Sequence, residues 1–133
     1  FDHKSSQARE LSPVAIVKQM IAKGHEKQPL VLMGDFNSGP ATSQMTYLMN
    51  GKAMLDGKER VSPIVFQNTL PREVSERSST FSGWDGRTEG RQIDYVLVAG
   101  GDHRVTASEI KRVEKEGRFP SDHYPVTANV VFP

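Results

Sequence analysis

The sequence predicts a layered α/β domain, and three stretches of the chain support this fold class. Between residues 5 and 23, apolar residues recur every three or four positions, which is typical of an amphipathic helix. They are Leu11, Val14, Val17 and Ile21. Residues 30–33 and 92–100 are apolar runs of strand length. A helix followed by buried strands indicates layers of helix and sheet around one core.

The composition is that of an ordinary globular domain and excludes several classes of site. The chain has 133 residues, of which 36% are hydrophobic and 25% charged, so a single domain is expected. A net charge of +1 indicates neither a strongly basic nucleic-acid binder nor an acidic chain that repels phosphate. The absence of cysteine excludes disulfides and thiolate metal sites. No apolar run approaches the roughly 20 residues of a transmembrane helix, and the sequence assigns no compartment.

The first helix is predicted within residues 5–23, with Gly24 at its end. Pro13 interrupts the helical pattern and leaves two interpretations. Either the helix begins near Ser12 with Pro13 at its first position, or a longer helix is kinked at Pro13. The first interpretation is favoured. The apolar run at residues 30–33 then predicts a strand that is covered on both faces.

The rest of the chain is predicted to contain one more helix and several strands. Thr42 or Ser43 caps a short helix that ends before Gly51. Residues 52–79 are interpreted mostly as loop, because they hold two prolines and many polar residues. The predicted strands are a short one at residues 79–81, a strong one at 92–100, a partly exposed one around 105–110 and a last one at about 125–132.

Carboxylates lie at or beside the ends of three of these strands. Asp35 follows the first strand, Asp94 lies early in the second, and Asp122 precedes the last. Because sites collect where strand ends and their loops meet, we expect the three acids to share one cleft. Asn37 lies two residues after Asp35, so on a continuing strand both side chains point to the same side. Crowded carboxylates need a compensating charge, and a hard divalent ion such as Mg²⁺ supplies it.

His123 directly follows Asp122, and adjacent residues of an extended chain point to opposite sides. The two side chains are therefore expected to have different roles. Asp122 is a candidate metal ligand, and His123 is a candidate contact for a phosphoryl oxygen. Asp94, from another strand, is the candidate carboxylate that orients the imidazole.

Each of these signals has a second interpretation. Residues 34–37 have the composition of a turn, and a turn alone explains them equally well. Asp94 is alternatively a surface residue on an edge strand, although its apolar neighbours argue against that. Residues 121–123 are alternatively a polar loop in which the histidine is structural.

Three segments taken together carry a resemblance to a known family. They are Gly-Asp-Phe-Asn at residues 34–37, Gln-Ile-Asp-Tyr-Val-Leu-Val at 92–98 and Ser-Asp-His-Tyr-Pro-Val at 121–126. In their order and approximate separation they resemble the endonuclease/exonuclease/phosphatase superfamily, in a bacterial-type branch, over essentially the whole chain. The resemblance implies hydrolysis of phosphate esters with Mg²⁺ or Mn²⁺.

The resemblance also implies where the chain belongs in a larger domain. Residues 1–133 would be the C-terminal portion of a single domain, a four-layer α/β/β/α sandwich with a mixed, mainly antiparallel sheet and flanking helices. The N-terminal half would be absent, and with it the family's principal metal-binding glutamate. The start at Phe1, without a methionine, is expected of a processed chain or of a piece of a longer one.

The family's catalytic roles carry over to five positions. Asp35 resembles the aspartate that orients or deprotonates the attacking water, and Asn37 resembles the asparagine that contacts the scissile phosphate and holds that aspartate. Asp94 resembles the partner of the last histidine, here His123, which stabilises charge on the phosphoryl oxygens. Asp35 and Asp122 are implied at the metal site.

Three further residues are candidate substrate contacts beside Asn37. His3 matches a position just after the family's catalytic histidine, although a loop-capping role explains it equally well. Trp84 and Arg91 lie in the connection before the Asp94 strand, where they could stack on or grip a substrate. A solvated loop with one anchoring ring is the favoured interpretation of that connection.

The predicted function is metal-dependent hydrolysis of a phosphate ester by water. A phosphodiester of nucleic acid or of a phospholipid headgroup is favoured over a small phosphomonoester. The alternative is a non-catalytic binding module that retains the fold, and the chain without its other half is expected to be inactive.

Overall fold

The computed structural model of the chain describes residue 1 and residues 4–132. The described part contains three helices and seven strands. In chain order these are α1 (Ser6–Ala22), β1 (Leu30–Asp35), α2 (Ser43–Asn50), β2 (Lys52–Leu55), β3 (Lys58–Val61), β4 (Gln67–Asn68), α3 (Arg72–Arg77), β5 (Asp94–Ala99), β6 (Arg104–Ile110) and β7 (Val126–Val131). None of the described helices is long and apolar enough to cross a lipid bilayer.

Helix α1 is longer than the favoured prediction, because it begins at Ser6 and carries Pro13 in its interior. Ser5 caps the helix, and its side-chain oxygen accepts a hydrogen bond from the Ala8 backbone N–H at 3.1 Å. An interior proline costs about 3 kcal/mol of helix stability. Here Pro13 is buried together with Val14 and Val17, so burial of this face offsets that cost. The prediction that the helix begins near Ser12 was wrong.

The central sheet has the strand order β1-β5-β4, and both of its strand pairs are antiparallel. Leu30 and Leu32 of β1 point towards the core, which they share with α1 and α2. The alternate residues do not, since Val31 is 45% exposed and Met33 is 67% exposed. The prediction that residues 30–33 are covered on both faces was therefore wrong for the described chain.

The segment predicted to be mostly loop contains the β2–β3 hairpin, β4 and α3. The hairpin turns at Asp56 and Gly57, which have φ angles of 50° and 69°. Positive φ at both central positions is the condition for a two-residue hairpin turn, and Asp-Gly is a strong sequence signal for it. This Asp-Gly signal was present in the sequence, but the many polar residues around it led to the interpretation of the segment as loop.

Strands β5, β6 and β7 lie where the sequence predicts them, whereas the prediction of a short strand at residues 79–81 was wrong. β6 pairs antiparallel with β7, with an irregularity between Val105 and Ala107. Residues 79–81 do not form a regular strand, because Phe81 instead makes an isolated bridge with His123. The described chain is thus a small α/β structure of antiparallel sheets with helices, and the Asp94 end of β5 is the point where β1, the Phe81 segment and the approach to β7 meet.

Candidate active site

Two carboxylates face each other where β1 ends and β5 begins. In the antiparallel register of these strands Asp35 is the direct partner of Asp94. Like charges at directly opposite positions of a sheet are destabilising, so the pair needs a compensating group. His123 is one such group, because its Nδ1 lies 2.8 Å from Asp94 Oδ2. One ligand atom from each of Asp35, Asp94 and His123 lies within 4.8 Å of the others.

The segment after β1 is both a turn and part of this group. Asp35 Oδ1 accepts a hydrogen bond from the Asn37 backbone N–H at 2.7 Å, and Asp35 Oδ2 accepts one from Asn37 Nδ2 at 3.1 Å. Asn37 has a φ of 47°, a left-handed conformation that asparagine tolerates. Its side chain therefore meets Asp35 through a turn and not through a continuing strand. Residues 34–37 therefore form a turn, as one interpretation expected, and the same contacts hold Asp35 in the candidate site, as the other expected.

Two residues of this segment fix the position of Asp35. Gly34 has a φ of 145°, where a residue with a Cβ would be strained. Phe36 is buried in the core, and its N–H donates to the Ile93 carbonyl at 2.8 Å. Asp35 is thus held between a glycine in a conformation that other residues avoid and an anchored ring, while its own carboxylate stays exposed.

The electrostatic setting of His123 favours its charged form. Burial lowers the pKa of His123, but the hydrogen bond to Asp94 and the charges of Asp94, Asp35 and Asp122 raise it by more. The pKa therefore lies above the ordinary value for histidine. Because a carboxylate accepts the hydrogen bond at Nδ1, that nitrogen carries a proton, and Nε2 is the nitrogen that can address a substrate.

Asp94 is more buried than Asp35, and its pKa is raised. Burial is the largest cause, and the hydrogen bonds to His123 and Thr80 oppose it without cancelling it. The nearby charge of Asp35 raises the pKa of Asp94 further. The two acids therefore differ in environment, with one buried and paired and the other open to solvent.

Within the described part of the chain, Asp122 is not a member of the group of three. Its backbone carbonyl accepts hydrogen bonds from the N–H groups of Ser82 at 2.6 Å and Gly83 at 3.1 Å. Its carboxylate is close enough to raise the pKa of His123. A metal-binding role for Asp122 stays a prediction.

The predicted substrate contacts Trp84 and Arg91 lie outside the group of three. Trp84 is 61% exposed and has a φ of 65°. Arg91 packs against the loop that follows Asn37, where a Cβ added to Gly39 would lie 2.5 Å from Arg91 Cδ. His3 lies outside the described residues.

Several polar residues around Asp94 were missed by the sequence reasoning. Thr80 and Gln92 are fully buried. Gln92 Nε2 donates to the Asp94 carbonyl at 2.8 Å, and Asn68 Nδ2 donates to Gln92 Oε1 at 2.8 Å. The only sequence signal was a glutamine two residues before Asp94 at the start of an apolar strand, since a buried amide needs partners.

The groove around the group has a volume of about 320 Å³. It includes Asp35, Asp94 and His123 together with apolar residues of β1, β5 and the start of β7, among them Met33, Val96 and Val126. A larger groove of about 670 Å³ lies between the start of α2 and α3, and its lining includes none of the three. We therefore place the chemistry at the smaller groove.

The chemistry of the donor set fits a hard divalent cation. The carboxylates of Asp35 and Asp94 meet within 4.8 Å, and the Asp35 carboxylate is open to solvent, where water can complete a coordination shell. A cation there would also reduce the repulsion between Asp35 and Asp94. Carboxylates and water suit Mg²⁺, Ca²⁺ and Mn²⁺ alike, so the donor set does not identify the metal.

An acid–imidazole pair that faces a second, exposed acid can move protons at a reacting group, which is a property of hydrolytic sites. The family model described as the endonuclease/exonuclease/phosphatase family matches residues 14–123. The chain belongs to this family. Its members are commonly hydrolases that act on phosphate esters and usually use divalent metal ions.

Solved structures share the fold at low sequence identity. An endonuclease/exonuclease/phosphatase from Bacteroides vulgatus has a TM-score of 0.74 and 22% identity, over 100% of this chain and 47% of that one. A conserved protein of unknown function from Enterococcus faecalis has a TM-score of 0.69 and 23% identity, over 100% of this chain and 48% of that one. A mannosyl-6-phosphatase from Bacteroides thetaiotaomicron has a TM-score of 0.67 and 23% identity, over 98% and 48%.

The chain thus spans about half the length of these solved relatives. No curated protein sequence matched the chain.

Proposed function

We propose that the protein to which this chain belongs is a Mg²⁺- or Mn²⁺-dependent hydrolase of phosphate esters in which water attacks phosphorus. The observation that carries the proposal is the 2.8 Å contact between His123 Nδ1 and Asp94 Oδ2, with the Asp35 carboxylate within 4.8 Å of both residues. A phosphate ester resists attack because it is negatively charged, so a site that hydrolyses it must offset charge and activate water.

Each residue of the group has a proposed role. Asp35 accepts the proton of the attacking water, and Asn37 holds Asp35 through two hydrogen bonds at 2.7 and 3.1 Å. His123, oriented by Asp94, donates from Nε2 to a phosphoryl oxygen on which charge develops. Asp35 and Asp122 are the proposed metal ligands of this chain. The bound cation would supply positive charge to the phosphate and to the water.

We further propose that the full domain is the four-layer α/β/β/α sandwich of which residues 1–133 are the C-terminal portion. The extent of the match, about half of each solved relative, supports this arrangement. The exposed apolar residues Val31 and Met33 of β1 are what a sheet face would present to a missing layer. The activity is accordingly a property of the full-length protein, and this chain alone is expected to be inactive.

The test is hydrolysis of two chromogenic substrates by the full-length protein. The diester bis-p-nitrophenyl phosphate and the monoester p-nitrophenyl phosphate are each assayed with Mg²⁺, with Mn²⁺ and with a chelator. We expect turnover that requires the metal and that Asp35→Asn reduces by about 10²-fold or more, because the base is lost. Asp102→Asn serves as the matched control, since Asp102 is an exposed acid beyond the other end of β5.

The outcomes separate the candidate functions. Metal-dependent turnover of the diester that is lost in Asp35→Asn supports the proposal as stated. Turnover of the monoester alone would instead favour a phosphomonoesterase, the activity by which the relative from Bacteroides thetaiotaomicron is named. The absence of turnover with either substrate, or equal turnover in Asp35→Asn and wild type, would favour a non-catalytic binding module.

A further inference from the structure

Thr80 is a fully buried residue whose hydroxyl contacts the catalytic group proposed above. Its relative exposure is 0%, and it lies between α3 and β5, outside any regular strand. Thr80 Oγ1 accepts hydrogen bonds from the N–H groups of Ile93 at 2.9 Å and Asp94 at 3.1 Å. An interaction with this side chain also lowers the pKa of the Asp94 carboxyl, although burial outweighs it.

The chemistry of a hydroxyl group indicates which partner donates in this interaction. A hydroxyl has one proton to donate and two lone pairs that accept. Ile93 and Asp94 occupy the lone pairs of Thr80 with their backbone N–H groups. The proton of Thr80 remains available to the carboxylate of Asp94, whose Oδ2 atom accepts the hydrogen bond of His123.

The backbone around Thr80 holds the other partner of the pair. The Thr80 carbonyl accepts a hydrogen bond from the Tyr124 N–H at 2.7 Å. Phe81 bridges to His123, and the two rings meet edge-on with centroids 5.2 Å apart. Thr80 thus contacts the Asp94 strand through its side chain and the His123 segment through its backbone.

Arg112 fixes this segment from the side of β6. Its Nη1 donates to the Ser79 carbonyl at 2.6 Å, and its guanidinium lies 4.3 Å from the centroid of the Tyr124 ring. A cation over an aromatic ring at this distance is attractive. Thr80 is therefore held by its neighbours and has little freedom to follow a movement of Asp94.

We infer that Thr80 is a positioning residue for the reaction, whose hydroxyl holds the Asp94 carboxylate in the orientation that His123 requires. The inference rests on the proposed function, because it assigns Thr80 to the proposed pair. Without the hydroxyl, Asp94 loses a donor and the N–H groups of Ile93 and Asp94 lose their acceptor. The carboxylate is then free to rotate away from His123 Nδ1, and the imidazole loses its orientation.

The experiment compares Thr80→Val with Thr80→Ser in the full-length protein. Valine matches the shape of threonine without its hydroxyl, and serine keeps the hydroxyl without the methyl. We expect Thr80→Val to lower kcat about 10- to 100-fold with KM changed by less than about two-fold, as for other residues that orient a functional ligand. Thr80→Ser should recover kcat to within about three-fold of wild type, because the donor is restored.

Thr69→Val is the matched control. Thr69 is also buried, and its hydroxyl donates to the Val96 carbonyl of the same strand at 2.9 Å, two residues beyond Asp94. This variant removes a similar hydrogen bond from β5 without touching the Asp94 carboxylate. We expect a comparable loss of thermal stability and a kcat within about two-fold of wild type.

A second measurement does not depend on turnover. The His123 Nδ1 proton, in a hydrogen bond to a carboxylate, should give a downfield proton resonance in NMR spectra. We expect this resonance in wild type, Thr80→Ser and Thr69→Val, and its loss or broadening in Thr80→Val. If Thr80→Val does not fold, Thr80→Cys takes its place, because a thiol is a weak donor of similar size.

The outcomes are distinct for the two proposals. If wild type shows the resonance but no turnover, the proposed function fails and the resonance in the Thr80 variants still tests the inference. If kcat and the resonance in Thr80→Val equal those of wild type, the inference is overturned. It is also overturned if Thr80→Ser is as impaired as Thr80→Val, since the hydroxyl would then not be the cause.

Discussion

The two ends of strand β5 each hold a histidine, and the difference between them shows what makes such a residue functional. At the Asp94 end, His123 Nδ1 faces a carboxylate at 2.8 Å. Beyond the Ala99 end, His103 Nδ1 lies 3.1 Å from the Gly100 carbonyl and Nε2 lies 3.0 Å from Gln67 Oε1. Both rings are fixed by hydrogen bonds. Among the described residues, His123 is hydrogen-bonded to an acid, and the charges of Asp94, Asp35 and Asp122 raise its pKa.

The availability of Nε2 is the second difference. Both ring nitrogens of His103 are engaged by neutral oxygens, so that ring connects a loop to the end of the sheet. Among the described residues, the side-chain hydrogen bond of His123 engages Nδ1 and not Nε2, and His123 lines the groove. A histidine with one nitrogen oriented and the other free is suited to proton transfer.

The largest effect that this comparison predicts is in catalysis. We expect His123→Ala to lower kcat of the full-length protein by about 10²- to 10⁴-fold, because the group that donates to the phosphoryl oxygen is lost. His103→Ala should change kcat by less than about three-fold, although it loses two hydrogen bonds and about 1–2 kcal/mol of stability. Steady-state kinetics and thermal unfolding of both variants are the measurements. Equal losses of kcat in the two variants would show that the comparison is mistaken.

The next prediction concerns the charge of His123. Because Asp94 raises the pKa of His123, Asp94→Asn should lower that pKa and reduce kcat about ten-fold at neutral pH. NMR titration of the ring in chelator-treated protein is the measurement. A pKa for His123 that stays the same or rises in Asp94→Asn would contradict the ion-pair description.

The sign of the pH dependence follows from the direction of the shift. The folded-state pKa of His123 is raised, so its contacts with the acids stabilise the fold fully below the unfolded pKa of histidine, about 6.5. That contribution is lost as the pH rises through the folded-state pKa. Asp94→Asn should therefore flatten this part of the stability curve in urea unfolding between neutral and alkaline pH, whereas His103→Ala should leave it in place.

The strand ends that carry the site could be predicted because their signals are local. Residues 30–33 and 92–100 are apolar runs bounded by proline or glycine, and the acids at their ends stand out against them. That Asp35 and Asp94 are partners required the register, which the sequence did not provide. The pairing of Asp94 with His123 was expected from the strand ends and from the family resemblance, and the 2.8 Å contact is an observation of the structure.

The failures have physical causes. Pro13 was expected to begin a helix, and burial of its face in the core overrode that local preference. The β2–β3 hairpin was predicted to be loop because its strands are rich in polar residues, although Asp56 and Gly57 are typical of a hairpin turn. Thr80 had no signal at all, because its partner Asp94 is 14 residues away and the contact depends on tertiary structure. Local propensity is a weak guide where tertiary packing decides.

The two ends of the sheet can also be compared by their contribution to stability, because each holds a glycine with a positive φ angle. Gly100 has a φ of 69°, and a Cβ there would lie 2.0 Å from the Gln28 carbonyl oxygen. Gly34 has a φ of 145°, with nothing within 4 Å of an added Cβ. We expect Gly100→Ala to cost about 2 kcal/mol or more in urea unfolding, with kcat per folded molecule unchanged. Gly34→Ala should cost less stability but lower kcat, because strain there displaces Asp35. The reverse pattern would overturn the assignment of the site to the Asp94 end.

The smallest expected effect is at Trp84, which lies on the loop that hydrogen-bonds Asp122. Because its side chain is 61% exposed, Trp84→Ala should change the free energy of unfolding by less than about 0.5 kcal/mol. If the ring stacks on the group attached to the phosphate, KM for a substrate with an aromatic leaving group should rise about five-fold, and Trp84→Phe should retain most of the affinity. An unchanged KM in Trp84→Ala would instead favour the solvated-loop interpretation, in which the neighbouring Asp85–Arg87 ion pair at 2.8 Å organises the loop without contacting substrate. That result would confine substrate recognition within the described residues to the groove at Asp35, Asp94 and His123.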